Sequence, residues 1–95
     1  NRRKIAVMSM MRDKDHQGCV PMVAKRCRLL VATTVSLPRS LPPEELAREA
    51  APYCPTRTAA DTEAGIALAR ELAGPEDLIV VCGSVYGAGA AIGAL

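Results

Sequence analysis

Residues 78–84 have the sequence Leu-Ile-Val-Val-Cys-Gly-Ser, which is the clearest strand pattern in the chain. Five consecutive apolar residues, three of them β-branched, favour a strand. Gly83 and Ser84 then form a turn that leaves the carboxyl end of this strand. Upstream, Gly74-Pro75 is a strong signal for the end of a helix. This part of the chain therefore predicts a helix, a short loop and an apolar strand.

Two more strands are predicted upstream, near residues 5–10 and 29–34. The second begins with a continuous apolar run, as expected for a strand covered on both faces. Residues 53–60 allow a short edge strand, because Pro52 and Pro55 argue against a central one.

Helices are predicted between these strands. The first runs from about Gly18 to Arg28, and another is capped by Asp61-Thr62 and continues to about Ala73. Between them, we expect Ser40 to cap a helix with Pro42-Pro43 in its first turn. Its inner face consists of Leu46, Ala47 and Ala50. A last helix is expected in the Ala/Gly-rich remainder after Ser84.

Strands that alternate with helices imply right-handed crossovers and a mainly parallel sheet. We therefore predict an α/β fold, a three-layer Rossmann-like sandwich with helices on both faces. With 95 residues, the chain is long enough for one domain with a single core.

Composition excludes several classes of function. The net charge is +2, there is no Trp or Phe, and there are two Tyr. Nucleic-acid binding is not indicated, because single-strand readers combine a basic stripe with stacking aromatics. The four cysteines form no C-x-x-C pair and stand beside a single His, so neither a zinc site nor a disulfide framework is predicted. We expect free thiols in a reducing cytoplasm.

Residues 78–95 offer one rival interpretation. They are an uncharged run of 18 residues with two G-xxx-G spacings, which meets the lower length limit of a membrane span. The β-branched opening and the upstream alternation argue against it. A continuous helix over 78–95 would contradict the predicted fold.

Ligands of open parallel sheets bind beyond the carboxyl ends of the strands. Asp13-Lys14-Asp15-His16 follows the first predicted strand, and Gly83-Ser84 follows the last. Lys14 could pair with a substrate carboxylate and the aspartates with an amine or a metal-bound group. From spacing alone, a solvated turn that caps the next helix is the simpler interpretation. The simpler interpretation of His16 is likewise a histidine in a surface turn. For Tyr86 it is a side chain that covers the small residues of the last helix.

Taken together, the motifs resemble the C-terminal domain of folylpolyglutamate and dihydrofolate synthases, in the Mur ligase superfamily. That pattern runs from D-K-D through Pro-Arg and P-E-E-L to G-P-x-D-L and G-S-x-Y. The matching residues here are Asp13-Lys14-Asp15, Pro38-Arg39, Pro43-Glu44-Glu45-Leu46, Gly74-Pro75-Glu76-Asp77-Leu78 and Gly83-Ser84-Val85-Tyr86. The agreement in order and spacing covers nearly the whole chain.

The resemblance implies an ATP-dependent ligase. A carboxylate of pteroate or folate is phosphorylated by ATP, and the amino group of L-glutamate attacks the acyl phosphate to form an amide. The C-terminal domain supplies glutamate contacts and closes over a domain that binds ATP and Mg. The resemblance implies that glutamate is contacted by Ser84, Asp13, Lys14, Asp15 and Arg39, with His16 and Tyr86 as further candidates.

The chain begins at Asn1, and it contains neither a P-loop nor the D-G-A-H-N-P segment that opens the family's domain. We expect residues 1–95 to be one domain of a longer protein, lacking its first strand and the ATP-binding domain, and to be inactive alone. Two alternatives stay open. One is another amide ligase of the superfamily, acting on peptidoglycan precursors, although the D-K-D and G-S-x-Y motifs favour the folate branch. The other is a non-catalytic α/β binding domain.

Overall fold

The computed structural model describes residues 4–12, 15–35 and 38–83. The elements in chain order are β1 (Lys4–Ser9), α1 (His16–Ala24), β2 (Leu29–Ala32), α2 (Pro43–Ala50), β3 (Thr56–Thr58), α3 (Thr62–Leu72) and β4 (Leu78–Gly83).

The four described strands form one sheet in the order β3-β2-β1-β4. All three pairings are parallel, with Ile5 opposite both Leu29 and Ile79, and Leu30 opposite Thr56. The predicted strands and the parallel α/β fold are confirmed. The short strand β3 lies at an edge, as the flanking prolines predicted, because proline cannot donate to a central ladder.

Each face of the sheet carries its own apolar core, because neighbouring side chains of a strand point to opposite faces. Ala6 and Met8 of β1 lie in the core formed with α1 and α2. Ile5 and Val7 lie in the core formed with α3, which contributes mainly Ile66 and Ala69. The prediction of helices on both faces is therefore confirmed.

Helix α3 packs closely on the sheet at Gly65. A Cβ atom at this position would lie 2.8 Å from Val7 Cγ1 and still closer to Thr33 Cγ2. Both neighbours are buried, β-branched side chains with little freedom at χ1. The absence of a side chain at Gly65 is what permits this distance between helix and sheet.

Helix α1 differs from the prediction at both ends. It begins at His16 because Asp15 is the N-cap, whose Oδ1 accepts a hydrogen bond from the Gly18 N–H at 3.2 Å. It ends at Ala24, four residues before the predicted end at Arg28. The Arg28 N–H donates to the Lys4 carbonyl at 2.8 Å, so the chain must already have turned towards β2.

The predicted role of Ser40 as a helix cap is wrong. Helix α2 starts after Pro42 and has no side-chain cap. The Ser40 hydroxyl instead hydrogen-bonds to the Thr34 hydroxyl and accepts from the Val35 N–H at 3.1 Å, which closes the loop between β2 and α2. The inner face was predicted correctly, because Leu46 and Ala50 are buried.

Helix α3 begins and ends as predicted. Asp61 is its N-cap, with Oδ1 accepting from the Ala64 N–H at 2.8 Å, and the last helical residue is Leu72. The predicted last helix lies in residues 84–95, outside the described ranges.

The rival membrane interpretation is contradicted by strand β4, since Leu78–Gly83 would have to be helical. Within residues 4–12, 15–35 and 38–83, no helix has the length and apolar character needed to span a bilayer. None of the four cysteines, all of which lie in the described ranges, forms a disulfide, and Cys19 is exposed while Cys27 and Cys54 are buried.

Candidate functional site

The carboxyl edge of the sheet joins the segments that follow β1 and β2. Met11 and Ser40 form an antiparallel bridge. The Arg12 N–H donates to the Arg39 carbonyl at 2.6 Å, and the Leu41 N–H donates to the Met10 carbonyl at 2.8 Å. These bonds place Arg39, a predicted site residue, beside Arg12, which precedes the Asp-Lys-Asp motif in the sequence.

The carboxyl end of strand β4 lies at the same edge of the sheet. Met8 lies opposite Cys82, and Ser9 lies opposite Gly83. The last residues of β1 and β4 therefore lie side by side at this edge. Four of the predicted site residues lie outside the described ranges and stay predictions: Asp13, Lys14, Ser84 and Tyr86.

Asp15 is exposed and has a structural role as the N-cap of α1. The capping interpretation is thus confirmed for this residue. A Cβ atom at Gly18 would lie 2.5 Å from Asp15 Oδ2, so the glycine leaves space for the capping carboxylate. One oxygen of the Asp15 carboxylate already accepts a hydrogen bond from the backbone of the helix.

His16 is the first residue of α1, and its ring contacts α2. The Nδ1 atom lies 3.0 Å from Glu49 Oε1 and 2.8 Å from Glu49 Oε2. Both side chains are largely shielded, with 15% of His16 and 24% of Glu49 exposed. His16 therefore lies between the two helices and does not project freely from a surface turn.

A salt bridge lies one helical turn earlier on α2. Arg12 Nη2 is 3.1 Å from Glu45 Oε2, with the two side chains 56% and 39% exposed. Residues 45 and 49 lie on one edge of α2 because they are four apart. They contact the residues on either side of positions 13–15. Sequence reasoning missed both glutamates, since their partners are 33 positions away in each case.

Cys27 and Cys82, which lie in or against the core formed by the sheet with α1 and α2, are poor nucleophiles. Burial raises the pKa of Cys82 to about 11, with smaller contributions from Cys27 and Cys19. Burial also raises the pKa of Cys27, against an opposing effect of Lys4. Since the thiolate is the reactive form, neither group suits covalent catalysis near pH 7.

Among the acidic, His and Cys side chains of residues 4–12, 15–35 and 38–83, no three lie close enough together to hold a metal ion.

A cavity of about 270 Å³ lies at the opposite, amino edge of the sheet. It is lined by Arg28, Gly74, Pro75, Glu76 and Asp77. Arg28 and Asp77 directly precede β2 and β4, and they pair with each other at 2.6 Å. Because ligands of parallel sheets bind at the carboxyl edge, we do not assign this cavity to the site.

Residues 1–85 match the family model described as Mur ligase, glutamate ligase domain. The chain belongs to this family. No curated protein shows significant sequence similarity to the domain.

Solved structures share the fold of this glutamate ligase domain. A Mycobacterium tuberculosis folylpolyglutamate synthase complexed with ADP and AMPPCP has 31% identity over 99% of the chain, with a TM-score of 0.85. A bifunctional folylpolyglutamate synthase/dihydrofolate synthase with Mn, AMPPNP and L-glutamate bound has 25% identity over 96% of the chain, with a TM-score of 0.84. E. coli FolC in complex with DHPP and ADP has 22% identity over 99% of the chain and a TM-score of 0.88, which shows the fold alone.

The domain spans only a small part of these proteins. It covers 24% of the M. tuberculosis chain and 22% of each of the other two.

Proposed function

We propose that this domain is the C-terminal, glutamate-binding part of an ATP-dependent ligase that adds L-glutamate to dihydropteroate or folate. The observation that carries the proposal is the 31% identity to a folylpolyglutamate synthase over 99% of the chain. The bound L-glutamate, nucleotide and Mn in a structure 25% identical to the domain agree with the substrates proposed.

In the proposed reaction, a carboxylate of the pterin substrate is first phosphorylated by ATP. The glutamate amine then forms the new C–N bond at the acyl carbon while phosphate leaves, and the nitrogen loses a proton. L-Glutamate carries two carboxylates and one ammonium group. Arg39 and Lys14 are suited to its carboxylates, and Asp13 and Asp15 to its ammonium group. Ser84 would donate or accept one hydrogen bond.

The geometry supports a shared site for these residues. Arg39 is held beside Arg12 by the 2.6 Å backbone hydrogen bond, and the backbone of Gly83 lies opposite Ser9. Glutamate placed between these segments would meet groups from three chain segments at one edge of the sheet. His16 and Tyr86 are further candidate contacts.

ATP and Mg are assigned to a domain outside these 95 residues. The 95 residues contain no P-loop sequence, the pattern that cradles the phosphates of a nucleotide. We therefore expect the isolated chain to form no amide bonds and to bind ATP weakly, if at all.

The proposal is tested with the full-length protein that carries this domain. ADP release is measured with L-glutamate and either dihydropteroate or a reduced folate, and the product is identified by mass spectrometry. We expect release to require both substrates and the product to gain one glutamate. Amide formation only with a nucleotide-linked peptidoglycan precursor would replace the folate assignment with the other branch of the superfamily. No ligation of any kind would support a binding domain.

A further inference from the structure

The contact between His16 and Glu49 links two helices at the candidate site. It joins the first residue of α1 to the last turn of α2, with Nδ1 within 3.0 Å of both carboxylate oxygens. The partners are 33 residues apart in the chain. With three-quarters or more of each side chain shielded, the contact is less exposed to water than the neighbouring Arg12–Glu45 pair.

The contact with Glu49 determines which nitrogen of the His16 ring carries a hydrogen. A carboxylate only accepts hydrogen bonds, so the Nδ1 atom of His16 must carry the hydrogen. This holds for the neutral ring and for the cation. The hydrogen bond at one ring nitrogen decides which nitrogen faces a second partner. Here that nitrogen is Nε2, which accepts a hydrogen bond in the neutral ring and donates one in the cation.

The backbone of His16 has a separate anchor. Asp15 caps α1 through the Gly18 N–H, and the Cys19 N–H donates to the Asp15 carbonyl at 3.0 Å. The cap thus holds the helix start, while Glu49 holds the ring. Loss of Glu49 should free the ring without melting the first turn of the helix.

We propose that Glu49 is a positioning residue for glutamate binding, which acts by fixing the tautomer and direction of the His16 ring. This inference rests on the proposed function, in which His16 is a candidate glutamate contact. Glu49 itself need not touch the substrate. Glu45 has a different role. Its salt bridge with Arg12 is exposed and therefore contributes little to stability, and Arg12 is also held by its backbone hydrogen bond to Arg39.

The first test is spectroscopic and uses the fact that His16 is the single histidine of the 95-residue chain. Long-range ¹H–¹⁵N NMR of the ring distinguishes the two neutral tautomers. We expect the Nδ1–H form in the wild type and in Glu49→Gln, whose amide oxygen still accepts. Glu49→Ala should shift the ring towards the Nε2–H form. A wild-type ring already in the Nε2–H form would overturn the proposal, and this readout does not depend on whether any variant folds.

The second test is kinetic and uses the full-length enzyme. Loss of the contact in Glu49→Ala should raise KM for glutamate about ten-fold, with a much smaller change in kcat. Glu49→Gln should restore most of the affinity. The matched control, Glu45→Ala, removes an ion pair from the same edge of α2 and should leave KM near the wild-type value.

Equal effects of Glu49→Ala and Glu45→Ala on KM would overturn the positioning role, because both would then act only through helix packing. An active wild-type enzyme with an unchanged KM in Glu49→Ala would also overturn this role alone. A wild-type enzyme that ligates no glutamate would instead remove the proposed function, and this inference with it.

Discussion

Ser9 and Gly83 lie opposite each other in the parallel pairing of β1 and β4. Ser9 is buried, and the Asp-Lys-Asp motif begins four positions after it in the sequence. Ser84 follows Gly83 directly. The last residues of β1 and β4 are thus adjacent although they are far apart in sequence, and this adjacency is the geometric support for the glutamate site that we propose.

Substitutions in the segments that follow these two strands should affect glutamate more than the other substrates. In the full-length enzyme, Ser84→Ala would remove a hydroxyl contact and Lys14→Ala a charge partner. We expect losses of about ten-fold to a hundred-fold in kcat/KM for glutamate, because hydrogen bonds to charged groups contribute roughly 1.5–3 kcal/mol. Steady-state kinetics with each substrate varied in turn provides the measurement.

Arg26→Ala is a control for the charge change, since Arg26 is exposed and precedes β2 at the other end of the sheet. Unchanged glutamate kinetics in both Ser84→Ala and Lys14→Ala would mean that the two motifs are only capping turns.

Gly65→Ala should destabilise the fold even though alanine favours helices. The new methyl group would overlap Thr33 and Val7, both buried. Overpacking should outweigh the gain in helix propensity, with a net loss of about 1–2 kcal/mol in the free energy of unfolding. Gly74→Ala is the matched control, since a Cβ atom there would make only an ordinary contact with Asp77 Oδ2 at 3.5 Å. Urea denaturation of both variants would decide, and equal stabilities would contradict close packing at Gly65.

Asp61→Ala should remove the N-cap of α3. The Ala64 N–H would lose its 2.8 Å hydrogen bond, and we expect a loss of about 1 kcal/mol in the free energy of unfolding. Asp61→Asn keeps a capping oxygen and should stay close to the wild type. Thermal unfolding followed by circular dichroism provides the comparison. If both variants lost the same stability, the charge and not the cap would be the stabilising feature.

Asp77→Ala should cost more stability than Arg28→Ala, because the additional hydrogen bond of Arg28, from Nη2 to the Leu72 carbonyl, is longer at 3.2 Å. The Asp77 carboxylate accepts from the Gly74 N–H at 2.7 Å as well as from Arg28 at 2.6 Å. The hydrogen bond to Asp77 also raises the pKa of the Arg28 guanidinium. Loss of the Gly74 hydrogen bond alone should cost about 1.5 kcal/mol. Denaturation of both single variants at low and high salt would test this, and a larger loss in Arg28→Ala would contradict it.

Cys82 should stay unmodified when Cys19 is alkylated. At pH 8 the partly buried Cys82 thiol, with its pKa raised to about 11, is almost entirely protonated in the folded chain. Cys19 is exposed. Mass spectrometry after brief iodoacetamide treatment should therefore find label on Cys19 first. Rapid labelling of Cys82 in the folded chain would show that β4 opens readily.

The same shift predicts a pH dependence of stability. Below pH 9.0 the Cys82 thiol is protonated in both states and contributes no change. As the pH rises from 9.0 towards 11, the unfolded chain loses this proton and the folded chain keeps it, so deprotonation favours unfolding. Stability should therefore fall more steeply over this window in the wild type than in Cys82→Val. Parallel curves for the two proteins would be the contrary result.

Much of the fold follows from patterns within short segments of the chain. The apolar runs at residues 5–10, 29–34 and 78–82 became three neighbouring parallel strands, since β-branched and apolar residues suit a sheet covered on both faces. The Asp61 cap was predictable because its hydrogen-bond partner is three residues away.

Contacts across the chain set the remaining features. Helix α1 stops at Ala24 because the Arg28 N–H must reach the Lys4 carbonyl, which no local pattern encodes. Ser40 has the residue type of a helix cap, yet its hydroxyl is taken by Thr34 and Val35.

The candidate site also has some features that the sequence predicts and others that depend on tertiary packing. Its motifs, and their position at the carboxyl ends of strands, could be predicted from residue type and order alone. The pairing of His16 with Glu49 could not, because it depends on how α1 and α2 pack on one face of the sheet. Local patterns specify which groups are present, and the free energy of burying two apolar faces decides which of them meet.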